Sequence, residues 1–83
     1  MMKLSEAPLS QLLRVTNIDT SADCAISRRL MELGFIKGSL VEVRHEGPIL
    51  KDPIAVLVRG MVVALRRYEA SLVNVETLAD GAR

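Results

Sequence analysis

Residues 28–38 decide the fold of this chain, and they read Arg-Arg-Leu-Met-Glu-Leu-Gly-Phe-Ile-Lys-Gly. The first six residues have the apolar spacing of the end of an amphipathic helix. Gly34 stands where a helix ends in a left-handed residue, and Gly38 stands where a strand begins. The order is helix, loop, strand, whereas a phosphate-binding glycine loop needs strand, loop, helix. The two glycines therefore indicate structural turns rather than a phosphate site.

The helix that ends at Gly34 is predicted over residues 21–33. Its apolar residues recur near the helical period of 3.6 and share one face. They are Ala22, Ile26, Leu30 and Leu33. Thr20 or Ser21 can serve as the N-cap, because a hydroxyl oxygen accepts hydrogen bonds from the free amides of the first turn. Asp23 would then lie in that turn, where its negative charge is favourable to the helix dipole.

After Gly38 the apolar pattern changes to the two-residue period of strands. The predicted strands are 13–18, 40–46, 54–58, 61–65 and 71–76. Arg59 and Gly60 form a tight turn between the third and fourth strands, and residues 66–70 form a 3₁₀ turn. A loop is predicted over 47–53. Its turn residues are Gly47, Asp52 and Pro53.

These strands follow one another too closely along the sequence for the long crossover connections that parallel strands need. The predicted fold class is therefore mainly β. We expect a small SH3-like antiparallel barrel of about five strands with one α-helix beside it. A chain of 83 residues builds a single compact core and hence a single domain. Residues from about 1 to 10 are expected to form a lead-in without regular structure, from which Leu4 and Leu9 could cover an end of the core, and residues 79–83 a frayed tail.

Composition narrows the classes of function. Aromatic residues are only 2% of the chain, too few for a surface that stacks nucleic-acid bases. The net charge of +1 is too neutral for affinity based on phosphate contacts, so we expect no nucleic-acid partner. One cysteine cannot form an internal disulfide, which agrees with a cytoplasmic protein. The longest apolar runs, about five residues, fall far short of a membrane span, so no direct membrane insertion is expected.

The sequence does not have the pattern of an enzyme or of a structural metal site. There is one histidine, and its spacing suggests no pairing with a nucleophile. A structural zinc site needs four ligands, usually in close pairs. The weak candidates for metal ligands are Cys24, His45, Glu46 and Asp52. We therefore expect no metal in a monomer and no required cofactor, while weak or inter-chain binding of a divalent transition metal stays open.

Taken in order along the chain, these elements resemble the FeoA family from roughly Leu13 to Val75. The matching residues are 29–35, 38, 41–43, 47–48, 52–54, 58–60, 63–66 and 73–75. Members of the family often have proline at the position of Lys37 and glycine at that of Lys51, and both differences fall in turns. The resemblance implies an SH3-like fold without enzymatic activity of its own. It also implies a cytoplasmic role in supporting FeoB, a membrane transporter of ferrous iron with a GTP-binding domain.

The partner-binding surface is predicted at the helix end, where five large apolar residues in seven positions cannot all face inward. Met31 together with Phe35 or Ile36 is the candidate for an exposed patch that docks on the transporter. Arg59 is the arginine best placed to reach a transferring phosphate if the protein stimulates a GTPase. The remaining arginines are expected mostly on the solvated surface.

Several alternatives stay open. The same small barrel resembles the C-terminal domain of metal-dependent repressors of the diphtheria-toxin-repressor type, so a metal-responsive accessory domain is one of them. A homodimer or larger SH3-like assembly is another, and a factor that stimulates a GTPase is a third. The exposed apolar residues could also reflect composition alone.

Overall fold

The computed structural model describes residues 2–21 and 23–78, and this part of the chain forms one six-stranded sheet. The strands are β1 (Met2–Lys3), β2 (Leu12–Ile18), β3 (Leu40–Ile49), β4 (Asp52–Val58), β5 (Met61–Leu65) and β6 (Val73–Thr77). The helices are a 3₁₀ helix (Leu4–Glu6), α1 (Cys24–Leu33) and α2 (Arg67–Ala70). The strand order is β1-β6-β2-β3-β4-β5, and all neighbours are antiparallel. The prediction of a mainly β antiparallel fold with an α-helix is confirmed, with six strands instead of about five and a second, four-residue α-helix.

The sixth strand comes from the segment predicted as an irregular lead-in. Met2 pairs with Val75 and Lys3 pairs with Asn74, so β1 extends the sheet beside β6. Leu4 is fully buried in the core, whereas Leu9 is half exposed. The pairing partner of β1 lies about seventy residues away, and a two-residue strand has no period of its own that a sequence pattern could reveal.

The core is aliphatic, as the composition predicts, with one aromatic ring in it. Along β4 the buried residues alternate with half-exposed ones, which places one face of the strand inward. Fully or nearly fully buried side chains come from every strand from β2 to β6. They include Leu13, Val15, Val41, Val43, Ile54, Val56, Val58, Leu65, Val73 and Val75. Leu30 and Phe35 complete this core from the end of α1.

Helix α1 begins later than predicted, and Asp23 is its N-cap rather than a residue of its first turn. The Asp23 carboxylate accepts from the amides of Ala25 and Ile26 at 3.0 and 3.1 Å. Ser21 is engaged elsewhere, because its amide and hydroxyl both donate to the Asp19 carboxylate. The predicted start at residue 21 and the Thr20 or Ser21 cap are therefore wrong. Ala22 lies outside the described residues.

Most of the predicted 47–53 loop is strand, because β3 continues to Ile49 and β4 begins at Asp52. Ile49 pairs with Asp52, which leaves Leu50 and Lys51 as the whole turn between β3 and β4. Gly47, Asp52 and Pro53, predicted as turn residues, are thus strand residues. A Cβ atom at Gly47 would lie 2.5 Å from the Asp52 carbonyl oxygen, so glycine permits a close approach of the two strands.

The last part of the chain also differs in detail from the prediction. Residues 67–70 form a short α-helix, α2, instead of a 3₁₀ turn, and the Glu69 carboxylate accepts from the Arg66 amide at 2.8 Å. The final strand begins at Val73 rather than at residue 71. The predicted tail over 79–83 lies outside the described residues.

Candidate partner-binding surface

The end of α1 is a glycine turn closed by two backbone hydrogen bonds. The Gly34 amide donates to the Met31 carbonyl and the Phe35 amide donates to the Leu30 carbonyl, both at 3.0 Å. Gly34 has a φ of 114°, the left-handed conformation that glycine adopts without steric cost. This pair of hydrogen bonds is the Schellman motif, which normally brings the residue after the glycine into apolar contact with the helix.

This motif explains why the prediction of an exposed Phe35 is wrong. Phe35 is fully buried among the core residues, as the residue after a Schellman glycine commonly is. The side chains on either side of the turn remain accessible, with Met31 40% and Ile36 47% exposed. Of the two alternatives for the second patch residue, Ile36 is the one that the structure leaves at the surface.

Arg59 lies directly against this helix end. A Cβ atom at Gly34 would be 2.3 Å from Cδ of Arg59, so the methylene stem of the arginine covers the glycine. Arg59 is exposed and has a φ of 52°, and it forms the two-residue turn between β4 and β5 with Gly60. The structure therefore brings Met31, Ile36 and Arg59 together around Gly34. We call these three residues the helix-end surface.

The loop after the helix is tied to β2. The Gly38 amide donates to the Val15 carbonyl at 2.7 Å, and the Val15 amide donates to the Ser39 carbonyl at 2.8 Å. The Ser39 hydroxyl donates to the Gly34 carbonyl at 2.7 Å. These bonds fix the path of the chain on either side of Ile36, so that its exposed side chain is held by an ordered backbone.

A second exposed apolar site lies at the turn between β3 and β4 and was not predicted. Ile49 and Leu50 are 74% and 89% exposed, the two most exposed large apolar side chains of the described residues. Leu50 and Lys51 both have a positive φ, at 56° and 58°, although neither is glycine. We call Ile49, Leu50 and Lys51 the hairpin tip. A recess of about 440 Å³ lies beside it, lined in part by Pro48 and Arg66.

Arg67 holds the hairpin tip against the rest of the domain. Its Nε donates to the Lys51 carbonyl and its Nη2 donates to the Glu46 carboxylate, both at 2.8 Å. Its Nη1 donates to the Ser5 carbonyl in the N-terminal 3₁₀ helix. The Arg67 amide also donates to the Asp52 carboxylate at 3.0 Å. Arg67 is thus a structural link between three segments, not the solvated arginine that the sequence suggests.

A similar link joins the two α-helices. The Arg29 guanidinium lies 2.6 Å from the Glu69 carboxylate, whose side chain is 12% exposed. Glu69 also caps α2 through the Arg66 amide, so a single carboxylate joins the start of α2 to the middle of α1. This contact helps to fix the orientation of the helix that carries Met31.

The four weak candidates for metal ligands lie on three elements, Cys24 on α1, His45 and Glu46 on β3, and Asp52 on β4. Cys24 is at the exposed start of α1, with its thiol 3.7 Å from the Thr20 carbonyl, and His45 is exposed on β3. Glu46 and Asp52 are both engaged by Arg67. Within residues 2–21 and 23–78, no three side chains of His, Cys, Asp or Glu come close enough to hold one ion. Weak or inter-chain metal binding stays a prediction.

The pKa of one exposed carboxyl, that of Asp19, is clearly shifted by its hydrogen bonds. Hydrogen bonds from the Ser21 hydroxyl, and then from its amide, lower the pKa of the Asp19 carboxyl below its usual range. This carboxylate lies at the turn before α1, away from the helix end. In the part of the chain that the structure describes, no helix is long and apolar enough to cross a membrane.

Comparison with known proteins decides the family. A family model for the FeoA domain matches residues 2–77. The chain belongs to the FeoA domain family. The FeoA protein of Chlorobium tepidum is 41% identical, with a TM-score of 0.83 over 94% of this chain and 71% of that chain. The FeoA of Stenotrophomonas maltophilia, solved in complex with zinc and described as a prokaryotic SH3 domain protein, is 43% identical. It matches with a TM-score of 0.81 over 92% of this chain and 91% of its own.

These matches confirm the SH3-like fold that the strand pattern predicts. A manganese-dependent transcriptional repressor has the same fold, with a TM-score of 0.80 over 92% of this FeoA domain and 41% of the repressor. That protein is 21% identical, so the likeness concerns the fold alone. A search of curated proteins found no match.

Proposed function

We propose that this FeoA domain is a non-catalytic accessory protein of bacterial ferrous iron uptake that binds the cytosolic part of a FeoB-type transporter. Family membership supports the process, and the Stenotrophomonas FeoA is described as a candidate activating factor of ferrous iron transport. The one observation that carries the binding surface is the pair of exposed apolar side chains, Met31 and Ile36, at an ordered turn beside Arg59. Apolar side chains grouped around a cation resemble the centre of many protein interfaces.

The test is a pull-down of membranes that contain the transporter, with the purified FeoA domain as bait. Met31→Glu and Ile36→Glu place a charge in the helix-end surface, and each should weaken binding at least about tenfold, as expected for hot-spot positions. Leu12→Glu is the matched control, because Leu12 is 43% exposed on β2 and outside that surface. Circular dichroism should show that all three variants remain folded.

Iron and guanine nucleotide are the variables of the same experiment. The pull-down is repeated with and without ferrous iron and with and without GTP, since FeoB-type transporters carry a GTP-binding domain. Equal capture of the wild type and of both helix-end variants would contradict the proposed surface. Loss of binding in Leu12→Glu alone would place the contact on the outer face of β2 instead.

A second candidate function is stimulation of the transporter's GTPase by Arg59. The observation in its favour is that no described hydrogen bond or ion pair involves the Arg59 guanidinium, whose stem is nonetheless held against Gly34. An arginine presented in this way can stabilise the charge of a transferring phosphoryl group. Arg59→Ala should then abolish any stimulation of GTP turnover while leaving binding largely intact. Equal turnover with wild type and Arg59→Ala eliminates this role.

A further inference from the structure

Strand β5 forms one end of the sheet and leaves polar backbone groups unpaired. In the described residues β5 pairs with β4, and the turn between them has positive φ at both Arg59 and Gly60. The residues that flank a two-residue turn of this type, Val58 and Met61, exchange both of their hydrogen bonds. Alternation along β5 then directs the N–H and C=O groups of Val62 and Ala64 away from β4.

The edge of β5 lacks the charges, prolines and bulges that commonly keep a further strand from pairing. Natural proteins shield edge strands with charges, proline or bulges. Residues 61–65 read Met-Val-Val-Ala-Leu, without a charge or a proline, and they pair with β4 without a bulge. Val62 is 59% exposed, and Ala64 is exposed as well. No described backbone hydrogen bond outside the strand ladders involves either residue.

Small side chains next to this edge leave room on the face of the sheet. Ala55 and Ala64 are paired neighbours on β4 and β5, and they line a recess of about 180 Å³ with His45 and Pro53. A strand added beside β5 would place a side chain next to Ala64, where it could lean over this recess. Strand addition uses such recesses for specificity while the backbone supplies affinity.

The charges at the two ends of β5 indicate what kind of strand fits. Arg59 precedes β5 and Arg66 follows it, and the only acidic partner described for either guanidinium is Asp52, 3.9 Å from that of Arg66. A second copy paired antiparallel about Val63 would place Arg59 beside the start of α2 and Arg66 opposite Gly60, so its strand would offer neither cation an acidic residue. Acidic residues at both ends of an added strand would instead meet the two cations.

We propose that the β5 edge is a strand-addition site for an extended segment of a partner protein, with alternating apolar side chains and acidic residues at both ends. This site is separate from Met31 and Ile36, and it shares only Arg59 with the helix-end surface. A partner could therefore use the β5 edge whether or not the proposed transporter contact at the helix end exists.

The probe is a synthetic nine-residue peptide with two glutamates at each end and alternating valine and threonine between them. Amide hydrogen exchange by NMR on the wild-type protein should show the Val62 and Ala64 amides slowed at least about tenfold by the peptide. The amides of Met61 and Val63, already bonded to β4, should change little. The same peptide with lysine at its ends should bind about tenfold more weakly at low salt, since two exposed ion pairs become repulsions.

Variants at one position separate backbone pairing from side-chain contact. Ala64→Pro removes an N–H that points away from β4, a substitution that edge strands tolerate. It should weaken peptide binding at least about tenfold, because a backbone bond is lost. Ala64→Ser keeps the N–H and should stay within about twofold of the wild type, as surface substitutions usually do. Should Ala64→Pro fail to fold, the exchange data on the wild type decide the question.

Three results would overturn the proposal. They are an absence of protection at Val62 and Ala64 with saturating peptide, equal binding of the lysine-ended peptide, or protection of these amides by protein concentration alone. The last would show self-pairing of β5 rather than capture of a partner segment. Because Met31 and Ile36 are untouched in Ala64→Pro, the transporter pull-down with this variant reports separately on the proposed function.

Discussion

The helix end and the hairpin tip both present exposed apolar side chains at a turn with a left-handed backbone, but they are held in different ways. At the helix end, glycine takes the left-handed torsion, two local hydrogen bonds close the turn, and Phe35 anchors it in the core. At the hairpin tip, Leu50 and Lys51 take that torsion, and Arg67, sixteen residues beyond Lys51, supplies the hydrogen bonds.

The helix end is therefore a surface held by residues close to it in sequence, whereas the hairpin tip is held by a residue distant from it in sequence. The conformation of the helix end depends on hydrogen bonds among residues 30–35 and on burial of the Phe35 ring. The hairpin tip depends on one guanidinium that reaches the Lys51 carbonyl, Glu46 and the N-terminal 3₁₀ helix. A backbone with two positive φ values outside glycine carries strain, and such strain persists where surrounding contacts hold it.

The largest effect is expected at the anchor of the helix end. Phe35→Ala should lower the free energy of unfolding by about 3–5 kcal/mol, because it leaves a cavity in the core. Urea unfolding followed by circular dichroism measures the change. Met31→Ala, on the exposed side of the same turn, is the control and should cost less than about 1 kcal/mol. Similar losses for both variants would mean that Phe35 is not the anchor.

The anchor of the hairpin tip should give a smaller loss. Arg67→Ala removes hydrogen bonds to two carbonyls and one carboxylate in a half-exposed site, and we expect a cost of about 2–3 kcal/mol. Arg14→Ala breaks the exposed pair with Glu76 at 3.4 Å and should cost less than about 0.5 kcal/mol. Arg67→Lys should recover only part of the loss, since an ammonium lacks the fork of donors. A full rescue by lysine would refute the hydrogen-bonded link.

Substitutions at the left-handed positions should change the stability in opposite directions in the two regions. Gly34→Ala should destabilise by about 1–2 kcal/mol, because its φ is unfavourable with a Cβ atom and Arg59 must move. Lys51→Gly should stabilise by about 0.5 kcal/mol, because it relieves a positive φ but adds chain entropy to the unfolded state. Thermal unfolding of both variants measures whether each substitution raises or lowers the stability. A loss of stability on Lys51→Gly would show that the tip is not strained.

The smallest effect concerns pH at the other end of α1. The folded state lowers the pKa of Asp19, so this carboxylate stabilises the fold above its unfolded pKa, and that contribution disappears as pH falls through the folded pKa. The difference in melting temperature between wild type and Asp19→Ala should therefore be present at pH 7 and shrink below about pH 4. A difference that grows on acidification would contradict the assigned direction.

The helix end was largely predictable from sequence because its signals are local. A 3.6-residue apolar period followed by Gly34 predicts the helix stop, and the tight turn at Arg59 and Gly60 follows from its residue types. The sequence left open whether Phe35 or Ile36 is the surface residue, because Gly34 predicts a left-handed helix end without distinguishing a Schellman end from the simpler αL end. The hydrogen bond from the Phe35 amide to the Leu30 carbonyl identifies the Schellman end, in which the residue after the glycine packs on the helix.

The hairpin tip was not predicted because the contacts that hold it come from residues distant in sequence. Gly47, Pro48 and Pro53 suggest a loop over 47–53, yet pairing with β4 keeps β3 extended to Ile49. The role of Arg67 depends on contacts with Ser5 and Glu46, 62 and 21 residues away. Likewise, Asp23 rather than Ser21 caps α1 because Asp19 engages Ser21, a competition that a simple capping preference does not include.

The most direct test of the helix-end contact compares the two exposed apolar regions as binding surfaces. The affinity of the transporter's cytosolic part is measured by calorimetry for wild type, Met31→Glu and Leu50→Glu. We predict at least about tenfold weaker binding for Met31→Glu and an affinity within about twofold of wild type for Leu50→Glu, although Leu50 is the more exposed residue. Loss of binding in Leu50→Glu with full affinity in Met31→Glu would move the contact to the hairpin tip and contradict the central claim.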